Sequence, residues 1–485
     1  MTGTPLATQL TRRGWIALFV VVGLVGGLFT GTALGLARGQ LSAVRVENEP
    51  TASTPIASTG APATTPSTPR SSATPSPEMP SPVLAAAAAG EPPDPAALKA
   101  KITSVRVKNA NGTYSGSVID VGTGKVLFGH SSRTPQIPAS TMKVLTCAAA
   151  LSILGPDHRF KTSVVSPKEG QIVLVGGGDP YLATKASAED YAPRASIGDL
   201  ARRTAAALHQ RKVNKVRLGY DASLFSGPAW NPLWPDGYGN QVSRVSALWV
   251  DEGDAGTSIG PRSANPAKQA ATELADALKK RGVSVSSVAE TRAPKSSAKL
   301  ATVSSWPLQR IVEQILMTSD NDAAEVMLRQ AAIGAGRGGT TADGVAVVRA
   351  QLIKLDAWHE GSKITDGSGL ARQTKVPADT LARLLRLAAE KEHPELRALV
   401  TGLSVAGVEG TLRIRFFDDA TVAGRGVVRA KTGTLRKVHT LAGVIRTADG
   451  SLLSFAFLIN NPKNEYAANV WLDRVTTAIS RCGCR

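Results

Sequence analysis

The chain has 485 residues, 42% of them hydrophobic, and its 56 Lys and Arg against 38 Asp and Glu give a formal net charge of +18. This length exceeds one ordinary domain, and the basic balance suits nucleic acid, an anionic membrane surface or an anionic wall polymer. The sequence has no zinc-finger spacing, aromatic RNA-binding motif or dense basic helix, so we expect no nucleic-acid partner and favour a basic exported protein.

The N-terminal region predicts a membrane anchor. Two arginines precede an uncharged, largely apolar run from residue 14 to residue 37, and about 20 apolar residues span a bilayer. A cleavable signal peptide has a shorter apolar core. We therefore expect residues 1–13 to be cytoplasmic, residues 14–37 to form a single retained span, and the rest to lie outside the cell membrane. Small residues near the end of the run leave cleavage and secretion as the alternative.

A low-complexity segment follows the predicted anchor. Residues 38–95 are dominated by Pro, Ser, Thr and Ala, as in "TPIASTGAPATTPSTPRSSATPSPEMPSP". Such a composition cannot bury enough apolar surface to fold. The sequence predicts a disordered, partly extended linker that gives the folded part reach.

Elements at both ends of the remaining chain predict an α+β domain. Two β-rich hairpins, "TYSGSVIDV…KVLFGH" and "TLAGVIRT…LLSFAFLIN", turn at residues 122–124 and 448–450, and an amphipathic helix closes the chain. Strands at both ends with helices between them favour one antiparallel sheet flanked by helices. We assign residues 96–160 and 302–485 to this domain and residues 161–301 to a large inserted α/β region.

One helix in this domain carries an unusual lysine. The stretch "PASTMKVLTCAAALSILG" is apolar nearly all round from Met142 to Leu154, which predicts a buried helix. Ser140 and Lys143 stand three residues apart, a spacing that brings side chains onto one face of a helix. A lysine is seldom buried without a function.

Two further motifs accompany this pair. The order S-x-x-K, S-D-N, K-T-G is the signature of active-site serine enzymes that act on penicillin or on the peptide it mimics. The absent side chain of the motif glycine would leave room for a substrate backbone along the strand. The motif residues are Ser140 and Lys143, then Ser319, Asp320 and Asn321, then Lys431, Thr432, Gly433 and the following Thr434.

These residue types suit acyl transfer through the first serine. Ser140 needs a base to take its proton. Burial of Lys143 and proximity of Lys431 would both lower the pKa of Lys143 and make a neutral amine available. The backbone N–H groups of Ser140 and Thr434 are candidate donors to the developing oxyanion.

The remaining motif residues suit substrate binding and proton relay. Ser319 and Asn321 fit a proton relay and the binding of a substrate amide. Lys431, together with Thr432 or Thr434, would hold a substrate carboxylate.

Other chemistries lack support in the sequence. There is no G-x-S-x-G elbow, and His439, the histidine nearest a motif, is better explained as a strand residue. No H-E-x-x-H motif or Cys/His cluster is present, so we expect neither a metal nor a cofactor. Cys147 fits a small core residue, and Cys482 and Cys484 leave one disulfide open as a possibility.

With these residues, the chain resembles the class C low-molecular-mass penicillin-binding proteins, which are D-alanyl-D-alanine carboxypeptidases and D,D-endopeptidases. The segments "VGGGDPYL", "VSALWVDEG", "DGSGLAR" and "VAGVEGTL" look like accessory signatures of that family, and the 179 residues between Ser140 and Ser319 resemble its large insertion. The resemblance implies a penicilloyl-serine transferase fold, Ser140 as acyl-enzyme nucleophile and Lys143 as its base. Peptidoglycan stem peptides would be the substrate and β-lactams the inhibitors.

Two alternatives to a wall-acting D,D-peptidase stay open. A class A β-lactamase uses a Glu to activate the deacylating water, and an Asn usually helps to hold that water, but no asparagine occurs between Asn321 and Asn460. The long insertion also argues against a β-lactamase. A non-catalytic wall-binding or antibiotic-sensing protein on the same scaffold would not need Lys143.

Overall fold

The computed structural model describes residues 90–187, 192–254 and 262–484. Its strands, in chain order, are β1 (Thr113–Asp120), β2 (Val126–His130), β3 (Lys161–Lys168), β4 (Gln171–Val175), β5 (Lys215–Asp221), β6 (Ser284–Glu290), β7 (Ala298–Ser304), β8 (Ser404–Val405), β9 (Val428–Leu435), β10 (Val438–Arg446) and β11 (Leu452–Asn460). Its α-helices are α1 (Pro95–Ser104), α2 (Met142–Leu154), α3 (Ile197–Gln210), α4 (Pro266–Lys279), α5 (Leu308–Thr318), α6 (Asn321–Gly334), α7 (Thr341–Lys354), α8 (Ala378–Ala389), α9 (Ala398–Thr401) and α10 (Glu465–Ser480).

The predicted anchor at residues 14–37, and the linker as far as residue 89, lie outside the described residues. Among the helices of the described ranges, none is long and apolar enough to cross a membrane. The anchor therefore stays a prediction from the sequence.

The first and last predicted hairpins lie side by side in one six-stranded antiparallel sheet. Its strand order is β2-β1-β11-β10-β9-β8. β1 pairs with β11 over its whole length, from Thr113 opposite Asn460 to Asp120 opposite Leu453. The predicted α+β class with an antiparallel sheet is confirmed, and the two ends of the folded chain meet in the middle of the sheet.

Helices cover both faces of this sheet. α8 packs on β1, β10 and β11 from one side, and α10 packs on β10 and on α1 from the other. α2 lies behind α8 and contacts α5, α6 and α7, and every residue from Met142 to Leu151 is buried. α2 is thus the buried helix that the all-round apolar pattern predicts.

A second, mixed sheet is formed by the chain between α2 and α5. Its order is β6-β5-β4-β3-β7, with β4, β5 and β6 parallel and β3 antiparallel to both of its neighbours. α3 and α4 are amphipathic helices. Their apolar faces pack on this sheet, and their charged residues are exposed on the opposite faces. The sheet strands extend from Lys161 to Ser304, and the exact limits of the inserted region stay a prediction.

The three cysteines form one disulfide and leave one free thiol, a possibility that the sequence left open. Cys482 and Cys484 form a disulfide just after α10, and Cys147 is a free thiol buried in α2. The backbone N–H of Asp94 donates to the carbonyl of Cys484 at 2.7 Å, so the bridged C-terminal turn contacts the start of α1.

Candidate active site

The first motif places a hydroxyl and an amine in direct contact. Ser140 lies in a 3₁₀ turn, Ala139–Thr141, that leads into α2, and Lys143 lies in the first turn of that helix. Lys143 Nζ is 2.8 Å from Ser140 Oγ. Ser140 is partly exposed whereas Lys143 is fully buried, so only the hydroxyl of this pair faces solvent.

Three oxygen atoms surround the amine of Lys143. Besides Ser140, its Nζ contacts Asn321 Oδ1 at 2.7 Å and the carbonyl oxygen of Ser368 at 3.0 Å. A neutral amine has two hydrogens and one lone pair. It can therefore donate to Asn321 and Ser368 while its lone pair accepts from the hydroxyl of Ser140. This is the arrangement that a base for Ser140 requires.

Burial also favours the neutral form of this lysine. Burial lowers the pKa of Lys143 to about 8, and the carboxyl groups of Asp320, Asp366 and Glu325 oppose part of that shift. A substantial fraction of Lys143 is consequently neutral near pH 8. Burial accounts for the expected lowering of the Lys143 pKa, whereas Lys431, the second expected cause, is not among the groups that shift it.

The second motif joins two helices end to end. Ser319 adopts a left-handed conformation, with φ of 63°, directly after α5, and Asp320 caps α6 by accepting from Ala323 N at 2.9 Å. Asn321 Nδ2 donates to the carbonyl of Gln241 at 2.9 Å. That contact orients the amide so that its oxygen faces Lys143.

The third motif brings a second lysine to the second serine. Lys431, fully buried on β9, donates from Nζ to Ser319 Oγ at 2.8 Å and to the carbonyl of Thr432 at 2.7 Å. Burial, and then repulsion from Lys143, lower the pKa of Lys431 well below its usual value. Two Ser–Lys pairs, each with a buried lysine and a partly exposed serine, thus form the site.

The hydroxyls of the third motif face a common cleft. Thr432 Oγ1 lies 2.8 Å from Thr411 Oγ1, and Thr434 is exposed. A cleft of about 660 Å³ is lined by residues of all three motifs, among them Ser140, Ser319, Asn321, Thr432 and Thr434. The structure therefore brings every predicted site residue to one place, with the two lysines beneath the cleft floor.

Gly433 has a different neighbourhood from the expected one. A Cβ at this position would lie 2.1 Å from Thr440 Oγ1 and 2.7 Å from the carbonyl oxygen of Pro138. Thr440 Oγ1 donates to that same carbonyl at 2.8 Å. The missing side chain allows β9 to approach the turn that carries Ser140, so the protein's own atoms, rather than substrate, occupy the space.

Sequence reasoning missed the groups that support Lys143 from behind. Glu325 Oε1 accepts from the backbone N–H groups of Gly367 and Ser368 at 2.9 and 2.7 Å. Asp366 accepts from Ala371 N at 2.7 Å. These two buried carboxyls hold the "DGSG" loop whose Ser368 carbonyl contacts the amine. Backbone carbonyls carry no residue signature, and only the repeated acidic positions in "SDNDAAE" and "DGSGLAR" hinted at this loop.

His439 is a buried residue of β10, opposite Thr434 on β9. Its Nδ1 lies 3.2 Å from Asn469 Oδ1 and its Nε2 lies 3.1 Å from Glu465 Oε2, both on α10. Its side chain therefore fixes α10 against the end of the active-site strand, in keeping with its interpretation as a strand residue.

A group of carboxyls lies behind the second motif. Oxygens of Glu252, Asp320 and Asp322 are within 4.8 Å of one another. Arg262 pairs with Asp322 at 3.3 Å, and Tyr181 Oη donates to Asp320 at 2.9 Å. Burial raises the pKa of Glu252 to about 10. Arg262 and Tyr181 thus satisfy Asp322 and Asp320, whereas Glu252 Oε1 is buried without a hydrogen-bond partner.

Comparison with known sequences identifies one family of peptidases and relatives named as carboxypeptidases. The D-Ala-D-Ala carboxypeptidase 3 (S13) family matches residues 98–264 and 254–477. A protein named "Carboxypeptidase Rv3627c" from Mycobacterium tuberculosis is 35% identical over 402 residues, which cover 81% of this chain and 85% of that protein. "Carboxypeptidase DacB" from Mycolicibacterium smegmatis is 35% identical over 387 residues, covering 77% and 81%.

Solved structures show the same fold. The crystal structure of penicillin binding protein 4 (dacB) from Haemophilus influenzae matches with a TM-score of 0.64 at 21% identity, covering 79% of this chain and 98% of that chain. At this identity the likeness concerns the fold alone, and it covers both sheets of the described residues.

Proposed function

Because the chain belongs to the S13 family of D-Ala-D-Ala carboxypeptidases, we propose that it is a serine D,D-peptidase acting on peptidoglycan stem peptides through an acyl-enzyme on Ser140. The observation that carries this proposal is the pair Ser140–Lys143, in which a buried amine lies 2.8 Å from an accessible hydroxyl. Its substrates are D-alanyl-D-alanine ends and cross-links, with β-lactams as inhibitors.

Acylation follows from this geometry. Neutral Lys143 takes the proton of Ser140, and Oγ forms a bond to the carbonyl carbon of the penultimate D-alanine. The backbone N–H groups of Ser140 and Thr434 stabilise the oxyanion. As the C–N bond breaks, the proton that Lys143 took passes by way of the Ser319 hydroxyl, which lines the same cleft, to the leaving amine, and Lys143 is neutral again.

Deacylation uses the same base. Water attacks the ester carbonyl while Lys143 accepts one of its protons, and that proton returns to Ser140 Oγ as the ester C–O bond breaks. The products are the shortened peptide, which now ends in a D-alanine carboxylate, and the regenerated Ser140 hydroxyl.

The hydroxyls of Thr432 and Thr434 are the groups that reach a substrate carboxylate. Lys431 lies beneath them and is hydrogen-bonded to Ser319 and the Thr432 carbonyl, so it acts on the carboxylate through these neighbours. A terminal carboxylate is therefore part of what the cleft recognises.

The direct test is mass spectrometry of the intact protein after exposure to penicillin. We expect one penicilloyl adduct on Ser140 that persists for minutes or longer, because the ring-opened leaving group stays attached and hinders water. Rapid turnover of penicillin without an adduct would establish the β-lactamase alternative. Absence of both adduct and D-alanine release would establish a non-catalytic scaffold.

We also propose that the protein is held at the outer face of the cell membrane by residues 14–37. The support is the uncharged run behind two arginines. N-terminal sequencing of the exported protein should find residue 1 or 2 intact and the protein in the membrane fraction. A mature N-terminus near residues 36–40 would show that it is secreted instead.

A further inference from the structure

The chain between β5 and α4 contains a loop that contacts the active site. Residues 229–245, which we call the Trp-rich loop, are closed at their ends by a hydrogen bond from the Val245 N–H to the Ala229 carbonyl at 2.8 Å. Inside the loop, the rings of Trp230 and Trp234 meet edge to face with their centroids 5.3 Å apart, and Trp234 is buried. A loop that closes on itself and buries an indole ring can hold neighbouring groups in place.

The C-terminal part of the Trp-rich loop holds the second motif. The Gln241 carbonyl accepts from Asn321 Nδ2 at 2.9 Å, and the Ser243 N–H donates to Asp322 Oδ1 at 2.6 Å. An asparagine amide has one acceptor oxygen and one donor nitrogen. Because Gln241 takes the nitrogen, the oxygen is left for Lys143 Nζ, which it contacts at 2.7 Å.

The N-terminal part of the Trp-rich loop holds the "DGSG" loop. Trp234 Nε1 donates to Asp366 Oδ2 at 3.1 Å, and Asn231 Nδ2 donates to the carbonyl of Thr365 at 2.9 Å. The carbonyl of Ser368, in the same "DGSG" loop, contacts the amine of the buried base at 3.0 Å. Both acceptors that take a hydrogen from the base are therefore tied to the Trp-rich loop.

We propose that Trp234 is a positioning residue for Lys143, acting through the "DGSG" loop. The proposal rests on the proposed D,D-peptidase function and deepens it. The lone pair of the neutral amine faces Ser140 only while its two hydrogens are bound to Asn321 and Ser368, because these two contacts fix the rotation of the amine about its Cε–Nζ bond. The Trp-rich loop thus sets the direction in which the base accepts a proton.

Trp234 is the long-range donor to a carboxylate that otherwise binds its own loop. The Asp366 carboxylate also accepts from the N–H groups of Gly369 and Ala371 and from the hydroxyl of Thr374, at 3.2, 2.7 and 3.0 Å. Phenylalanine in place of Trp234 would keep an aromatic ring in the core and remove the N–H donor. The "DGSG" loop would then keep its internal hydrogen bonds and lose one of its two side-chain hydrogen bonds to the Trp-rich loop.

The experiment compares the same substitution at two buried tryptophans. Trp249 is 1% exposed and its Nε1 donates to the Pro180 carbonyl at 3.1 Å, so Trp249→Phe loses an equivalent hydrogen bond without touching the "DGSG" loop. We expect Trp234→Phe to lower the rate constants of acylation and deacylation by penicillin by a common factor of about five, because Lys143 is the base in both steps. The dissociation constant of the complex before acylation should not change. Trp249→Phe should leave all three constants at their wild-type values.

A double variant tests whether the effect passes through the base. In the Lys143→Ala protein, the further change Trp234→Phe should slow the residual acylation no more, because the group that it positions is gone. An equal slowing in both backgrounds would overturn the proposal, and so would wild-type rate constants in Trp234→Phe or a change in the dissociation constant alone.

A second variant covers a failure of Trp234→Phe to fold, as judged by circular dichroism. Asn231→Asp keeps the oxygen that accepts from the Leu233 N–H and removes the donor to the Thr365 carbonyl. It should lower the same two rate constants together, and wild-type values in this variant would overturn the proposal. Wild-type protein that forms no penicilloyl adduct and releases no D-alanine would instead disprove the proposed function.

Discussion

The two Ser–Lys pairs of the active site have the same contact distance and different surroundings. Ser140 and Lys143 are three residues apart at the start of one helix, and Nζ of Lys143 contacts three oxygen atoms, one of which is the nucleophile. Ser319 and Lys431 come from a helix junction and a strand, 112 residues apart, and Lys431 has two acceptors. The first pair can exchange a proton with the reacting oxygen, whereas the second holds a polar group beside it.

The largest expected difference between the pairs is in the serines. Ser140→Ala removes the only atom that forms the ester, so penicillin labelling should be abolished. Ser319→Ala removes a proton relay and should still give a full adduct, formed about 10²-fold more slowly. Time-resolved mass spectrometry measures both. Persistent labelling of the Ser140→Ala protein would show that the nucleophile is misassigned.

As with the serines, we expect the lysine of the first pair to affect the acylation rate more than the lysine of the second pair. Lys143→Ala removes the base and should slow acylation by about 10²–10⁴-fold. Lys431→Ala leaves the base in place and should slow it by about tenfold, since Lys431 acts through neighbours. Stopped-flow acylation rates, with circular dichroism as the control for folding, compare the two. A larger loss for Lys431→Ala would reverse the roles of the pairs.

The C-terminal charge of the substrate provides a test of the role of the Ser319–Lys431 pair. Amidating the C-terminal carboxylate of a D-Ala-D-Ala peptide should cost about 2–5 kcal/mol of transition-state stabilisation, as for a broken charge-assisted contact. The cost should shrink in the Lys431→Ala protein, because Lys431 no longer holds Ser319 and the Thr432 carbonyl beside the carboxylate. Equal cleavage of free and amidated peptides by the wild type would remove the carboxylate from recognition.

The pH dependence of the acylation rate provides a test of the role of the Ser140–Lys143 pair. The pKa of Lys143 is lowered to about 8, and only the neutral amine accepts the serine proton. The acylation rate should therefore rise about tenfold per pH unit below pH 8 and level off above it. A rate that stays flat between pH 6 and pH 9 would show that another group is the base.

The last prediction concerns Glu325, which holds the loop behind Lys143, and its effect on the stability of the fold. Burial raises the pKa of Glu325 to about 8, above its unfolded value near 4.5, so stability should fall as pH rises from about 4.5 to 8. Glu325→Gln keeps the acceptor oxygen for Gly367 and Ser368 and should remove the part of that fall that Glu325 causes. Glu325→Ala leaves two buried N–H groups unpaired and should cost about 3 kcal/mol. Denaturant titrations from pH 5 to pH 8 test both variants.

Local features were predictable from the sequence, and their physical cause is local. The helix Met142–Leu154 has the predicted bounds, since an unbroken apolar run allows little else. The contact between Ser140 and Lys143 follows from their spacing, although Ser140 lies in a 3₁₀ turn just before the helix. The site residues in the second and third motifs were found only because their order matched a known chemistry.

Long-range and backbone features were not predictable. The carbonyl of Ser368 that contacts Lys143 has no side-chain pattern, and Glu325 acts on it through two backbone N–H groups. The space beside Gly433 is filled by Thr440 and Pro138, which only the packing of β9 on the turn reveals.

The pairing of β1 with β11 has a consequence for how the protein is made. β1 is synthesised early, yet its partner is Leu452–Asn460, and Lys431 lies in the same late stretch. Contacts of such wide sequence separation form slowly and only after the chain is complete. A nascent polypeptide whose last 60 or so residues have not yet left the ribosome therefore cannot pair β1 with β11, and Lys431 is missing from its active site. The hydrolytic site comes into being last, after the whole chain has emerged, so an unfinished molecule cannot cut the wall.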